Sequence, residues 1–177
     1  MTHSTQPTQP LRDEHRELLP YMELFVRVAD DVGMASIPAD SLLRSVDEVL
    51  QFLTGHLLPH AYAEERALYP LVGTIMGTPE ATATMSRDHA EIERLCGQLS
   101  ALRKELSAGP LNAFRANELR RLLYGLYTLV KVHFAKEEEV YLPLLDRKAT
   151  PEQMRHMFEE MEKAADEARR GAVTTTV

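Results

Sequence analysis

The stretches His60-Ala61-Tyr62-Ala63-Glu64-Glu65 and His133-Phe134-Ala135-Lys136-Glu137-Glu138 carry one histidine-glutamate pattern twice, each followed by a tyrosine and a proline (Tyr69 and Pro70; Tyr141 and Pro143). Each copy has a partner histidine on the helix before it. His15 closes Arg12-Asp13-Glu14-His15 and His89 closes Ser86-Arg87-Asp88-His89, so the lone histidines share an acidic lead-in. A single histidine-glutamate pair four apart means little, because helical sequences produce it freely. Two copies in matched context read as two halves of one metal site.

Working outward, the periodicity is helical almost throughout. His15, Leu18, Leu19, Met22, Phe25, Val26 and Ala29 form one stripe, on a helix expected to stop at Gly33 in a left-handed conformation. Asp40 or Ser41 is expected to cap a second helix with the stripe Val49, Leu53, His56, His60, Ala63, Glu64, Ala67, Leu68. Thr78-Pro79-Glu80 reads as the start of a third helix carrying Met85, His89, Ile92, Glu93, Cys96 and Leu99. Asn112 opens a fourth with Leu122, Leu126, Leu129, Val130, His133, Glu137, Val140 and Leu144. Thr150-Pro151-Glu152-Gln153 is a capping box for a fifth, shorter helix. Pro20, Pro59, Pro70 and Pro143 are expected to kink or end helices.

These elements give an all-α fold: an up-down-up-down four-helix bundle with a short additional C-terminal helix. The expected organisation is a disordered tail over 1–10, the bundle over 11–147, a C-terminal helix over 150–170 packing on it, and a frayed tail over 171–177. In an antiparallel bundle the starts of helices one and three meet the ends of helices two and four. His15, His89, His60, Glu64, His133 and Glu137 therefore arrive at one level on the core-facing stripes. Helical propensity demands no such coincidence.

Composition limits the alternatives. The 177 residues, 44% of them hydrophobic, suit one globular domain, and the net charge of −7 makes nucleic acid or an anionic membrane a poor partner. The single cysteine, Cys96, excludes an internal disulfide framework. Residues 1–10 lack the apolar run of a signal peptide, and no stretch is long and apolar enough to span a membrane. The expected location is cytoplasmic.

Residues four apart on a helix are offset by about 40° and about 6 Å along the axis, so each histidine-glutamate pair can reach one centre or two adjacent ones. Ionised carboxylates among leucines cost several kcal/mol each unless a cation or donor compensates. The bland alternative is a metal-free polar layer in which four histidines satisfy two glutamates. Four imidazoles and two carboxylates are too many ligands for one tetrahedral zinc and too nitrogen-rich for calcium or magnesium. They suit iron, with manganese as second choice. Two metals are natural, each with two histidines, with Glu64 and Glu137 bridging and oxo or hydroxo bridges filling part of the remainder.

Over about Leu11 to Leu145 the chain resembles the hemerythrin-like, or HHE cation-binding, family. The resemblance rests on His15, His60-x-x-x-Glu64, His89 and His133-x-x-x-Glu137. It implies a helical bundle holding a non-haem diiron centre, with these six residues as ligands and Glu64 and Glu137 as bridging carboxylates. The family's oxygen carriers have two histidines four apart on helix three and a histidine followed five later by aspartate on helix four. Here those helices offer His89 with Glu93 and His133 with Glu137, so one imidazole is missing. His56, one turn before His60, is a substitute candidate: a ligand, a partner to a ligand, or a core histidine. Glu93 is placed to orient a histidine.

Tyr69 and Tyr141 follow the glutamates and are read as packing residues that could also bond ligands. Glu65 and Glu138 point about 100° from their neighbours and are read as solvated. Cys96 is read as a buried small hydrophobe, and His3 and His156 as remote from the centre. Met154, Met157, Phe158 and Met161 form an apolar face that could cover the site. The expected small ligands are dioxygen, hydrogen peroxide or nitric oxide, with the electron donor unknown. Two functions compete: peroxide decomposition or reduction, catalase-like, slightly favoured by a symmetric centre with open positions; and reversible dioxygen binding, storage, or oxygen, iron or nitric oxide sensing without turnover.

Overall fold

The computed structural model describes residues 6–34 and 38–174, and among them there are helices and no strands. Among the described residues there are five long helices and a 3-10 turn over Pro79–Thr82. The helices are α1 (Gln9–Gly33), α2 (39–76), α3 (Ala83–Ala108), α4 (113–148) and α5 (Pro151–Thr174). α1 packs on α4, α4 on α3, α3 on α2 and α2 on α1, which closes the expected four-helix ring. α5 lies against the middle of α2.

α2 and α4 are long because they widen at prolines instead of stopping. A proline ring clashes with the carbonyl four residues back. For Pro59, Pro70 and Pro143 that carbonyl belongs to Gly55, Arg66 and Glu139. Each lies in a five-residue π turn: Leu53–Leu57, Glu64–Leu68 and Glu137–Tyr141. The wider turn relieves the clash and lets the helix continue. Pro20 also lies inside an uninterrupted helix.

Helix ends follow the expected chemistry in part. Asn112 Oδ1 accepts from Arg115 N at 2.9 Å, and Thr150 and Gln153 bond reciprocally as a capping box. α1 ends at Gly33, but the glycine with positive φ among the described residues is Gly77 (75°), which terminates α2. Two expected tails are partly ordered. Thr8 is buried, with its N–H and hydroxyl both donating to Asp146 at 2.9 and 3.0 Å, so helix begins inside the segment expected to be disordered. α5 continues past Gly171 to Thr174. The remainder of both tails, with His3, lies outside the described residues.

Two apolar clusters bracket a polar layer. One runs from Leu18 and Met22 through Val46, Leu99 and Leu126 to Phe134. The other joins Leu11, Leu68, Met85, Leu142 and Leu145 to Met154, Met157 and Met161 of α5. The methionine face of α5 thus packs along α2 beside the level where the histidines meet.

Candidate metal centre

His15 on α1, His60 and Glu64 on α2, His89 on α3, and His133 and Glu137 on α4 are all buried, both glutamates at 0% exposure. They converge as the antiparallel topology requires. Nε2 of His60 lies 3.1 Å and that of His15 3.8 Å from Glu64 Oε1, while His89 Nε2 lies 3.3 Å from Glu64 Oε2. Glu137 repeats the division, with Oε2 3.4 Å from His15 Nε2 and Oε1 3.5 Å from His133 Nε2. Each carboxylate turns one oxygen to each histidine pair. Two groups of donor atoms result, one of His15, His60, Glu64 and Glu137 and one of Glu64, His89 and His133, each within 4.8 Å.

The outward nitrogens also face carboxylates, three of them hydrogen-bonded and the fourth, His60 Nδ1, within ion-pair distance but without a hydrogen-bond partner. Nδ1 of His15 lies 3.0 Å from Glu138, that of His60 3.1 Å from Glu14, that of His89 2.8 Å from Glu65, and that of His133 3.1 Å from Asp88. An ionised carboxylate only accepts, so Nδ1 carries a proton and Nε2 is the nitrogen turned inward, where it would serve as the ligand atom to a cation. Arg12 braces Glu138, Lys136 braces Asp88, and Ser86 Oγ donates to Glu65 at 2.8 Å. The acidic lead-ins therefore act between helices: Glu14 serves His60, and Asp88 serves His133. Glu65 and Glu138 were expected to be solvated. Instead they reach across to His89 and His15, each from the start of a π turn. The signal in the sequence was the doubled glutamate in both copies.

His56 is not brought to the cluster. Its ring is exposed and stacks beside Tyr21 and Phe52, at centroid distances of 6.3 and 6.1 Å. His56 sits in the π turn Leu53–Leu57, where the helix departs from the regular spacing on which its alignment with His60 was expected. Glu93 is likewise exposed. Cys96 is buried and unpaired, and burial pushes its thiol up to about 11. His156 is exposed on α5.

The tyrosines part company. Tyr69, five residues after Glu64, is buried and donates its hydroxyl to Glu137 Oε1 at 2.8 Å, with His133 and His89 Nε2 at 3.3 and 3.4 Å. Tyr141, four after Glu137, donates outside the centre to the Ala81 carbonyl at 3.2 Å. The residue in register with Tyr69 is Leu142. One half of the centre thus holds a hydroxyl where the other holds an alkyl group. On that other half Phe134 stacks on His15 at 4.3 Å and 12°.

The electrostatics are those of a cluster built around positive charge. Burial alone would raise Glu64, but His60, His15 and His89 hold its carboxyl well below the usual range. Burial alone would lower His60, but the charge of Glu64 and its bond with Glu14 hold it well above the usual imidazole value. His133 is raised for the same reason, with Glu137 the main opposing influence to burial. Burial, and then the Glu64 and Glu137 charges, push the Tyr69 phenol up, so it stays a donor. Protons do not complete the layer: His15 Nε2, His60 Nε2, both Glu64 oxygens and Glu137 Oε2 are buried without a hydrogen-bond partner. Orphaned nitrogen lone pairs and carboxylate oxygens aimed at common points fit a bound cation.

The comparisons with known proteins agree with this geometry. The family model described as the hemerythrin HHE cation-binding domain matches residues 6–145, and matches again over 80–176, where the second copy of the histidine pattern begins its own pass. No curated protein and no solved structure matches the chain. With the match spanning all four bundle helices and the six converging histidines and glutamates, the chain belongs to the hemerythrin HHE cation-binding domain family.

Proposed function

We propose that the centre holds two iron ions, with manganese as the second choice, and that the protein decomposes hydrogen peroxide. The observation that carries this reading is that neither donor group is large enough to saturate a metal, with four protein donors in one and three in the other. One position gathers His15, His60 and both carboxylates, the other His89, His133 and Glu64, with Glu137 Oε1 only reaching His133 at 3.5 Å and no further imidazole from His56 or carboxylate from Glu93. A carrier-type centre needs one metal saturated by protein and one with a single vacancy. Four donors at one position and three at the other leave room for exogenous ligands on both sides, which favours turnover over simple capture. When bound, the irons supply reversible electron exchange with peroxide, so that one peroxide is reduced to water and another oxidised to dioxygen.

The chain's own residues do the rest. Glu14, Glu65, Asp88 and Glu138 fix the four imidazole orientations. Tyr69 offers the hydroxyl donor nearest the centre, within reach of one histidine pair and Glu137. Phe134, Leu68, Leu142 and the methionines of α5 exclude bulk water, so only small molecules reach the layer.

Iron loading followed by metal analysis and oxygen evolution on adding peroxide tests the reading. Expected are about two irons per chain and catalytic release of dioxygen. A stable coloured dioxygen adduct with no peroxide turnover would move the assignment to a carrier or sensor. No bound iron would leave a metal-free polar layer.

A further inference from the structure

A cavity of about 570 Å³ opens between α2, α3 and the end of α5, behind His89 rather than within the metal centre. Its size lies in the range of small-molecule pockets, roughly 300–1,000 Å³. It exists because three helices present alanines to one another there, Ala61 on α2, Ala90 on α3 and Ala168 on α5. Leu58, Pro59 and the ring of Tyr62 complete an apolar wall.

The polar lining is Thr54, Ser86, His89, Glu65 and Glu93, and its one imidazole is already bonded through Nδ1 to Glu65. Glu65 and Glu93 both line the cavity, and no lysine or arginine does. Glu65 spends one oxygen on His89 and the other on Ser86, but its side chain keeps 35% exposure and so has acceptor capacity left. Glu93 has no ion-pair partner among the described residues, although surface carboxylates elsewhere on α3 pair readily, as Glu91 does with Arg94. A largely apolar cavity, open to solvent at Tyr62, Ala90 and Glu93, with two carboxylates and no lysine or arginine in its lining is complementary to an organic cation.

We propose that this cavity binds a small organic amine, its hydrocarbon or aromatic body against the alanines and Tyr62 and its ammonium group between Glu65 and Glu93. The site stands independently of the peroxide reading, because nothing in it requires iron. It gives Glu93 and the alanines around it a role that the metal centre does not.

Three probes with one body separate the contributions: 2-phenylethylamine, 2-phenylethanol and phenylacetate, titrated into the full chain without metal and followed by calorimetry and amide chemical shifts. Expected is saturable binding in the order amine, alcohol, acid, with the amine about tenfold tighter than the acid and shifts centred on Ala61, Ala90 and Ala168. Glu93→Gln is expected to shrink the preference for amine while leaving the alcohol unchanged. Ala90→Trp, on an exposed helical position, is expected to abolish binding of all three, with Ala168→Trp as a second filling variant should the first lose helicity. Equal binding of amine and acid would overturn the proposal, as would binding that survives both filled cavities, or no saturable binding of any probe. Failure of the iron and peroxide tests would leave these outcomes untouched.

Discussion

Glu138 Oε1 lies 3.0 Å from Nδ1 of His15, and Glu65 bears the same relation to His89 at 2.8 Å. The residue after each central glutamate thus aims a histidine on a different helix, and the two halves exchange this support symmetrically. Removing one such partner leaves the inward donors in place but frees the ring to turn. Glu138→Ala and Glu65→Ala are therefore expected to weaken metal binding by about 10–100-fold without unfolding the bundle. Competition with a chelator of known affinity measures this. Wild-type affinity in both variants would show that the outer carboxylates do not position the rings.

Glu64 and Glu137 each face both histidine pairs, so losing either weakens two positions at once. Glu64→Ala and Glu137→Ala are expected to lose most of their metal after dialysis. His56→Leu and His156→Ala, both exposed and outside the cluster, are expected to retain it fully. Elemental analysis of the four variants side by side decides the matter. Full retention in both glutamate variants sinks the site as described.

How much of this was legible follows from one structural cause. Stripes spaced three and four apart depend only on regular α geometry, so the four bundle helices, the shared level of the six polar residues and the capping box at Thr150 could all be read directly. The misread residues sit on π turns. His56 is four before His60 and sits in the π turn Leu53–Leu57, with its ring beside Tyr21 and Phe52 instead of in the cluster. Across Glu64–Leu68 and Glu137–Tyr141 the aligned position is five after the glutamate, which selects Tyr69 and passes over Tyr141. The same turns turn Glu65 and Glu138 inward. Prolines two residues beyond each π turn were visible in the sequence, but a proline alone does not distinguish a break from a widening.

Tyr69 supplies one half of the centre with a hydroxyl that Leu142 cannot supply to the other. Tyr69→Phe deletes the bond to Glu137 at 2.8 Å and leaves that buried oxygen with fewer donors. The metal-free protein is expected to lose about 1–3 kcal/mol of stability, the usual cost of orphaning a buried polar group. Iron content is expected to stay at the wild-type level, since none of the six converging side chains changes. Denaturant unfolding with metal analysis checks both. Unchanged stability would mean that the hydroxyl is not bonded to Glu137 in solution.

The raised histidines and the lowered glutamate give the metal-free protein an unusual pH profile. Glu64 has a folded pKa below its ordinary value near 4.5, so its contribution is present above that pH and lost as pH falls through the folded value. His60 and His133 are raised above about 6.5, so theirs is full below that pH and lost as pH rises through their folded values. On these groups the metal-free protein is most stable between about pH 4.5 and 6.5 and weakens on the alkaline side. Metal reverses the trend, because it needs imidazoles with free lone pairs and binds more tightly as protons leave. Melting temperatures of chelator-treated and metal-loaded protein are expected to diverge progressively above neutral pH. A metal-free melting temperature that climbs from mildly acid to mildly alkaline pH would contradict the charge assignment of the cluster.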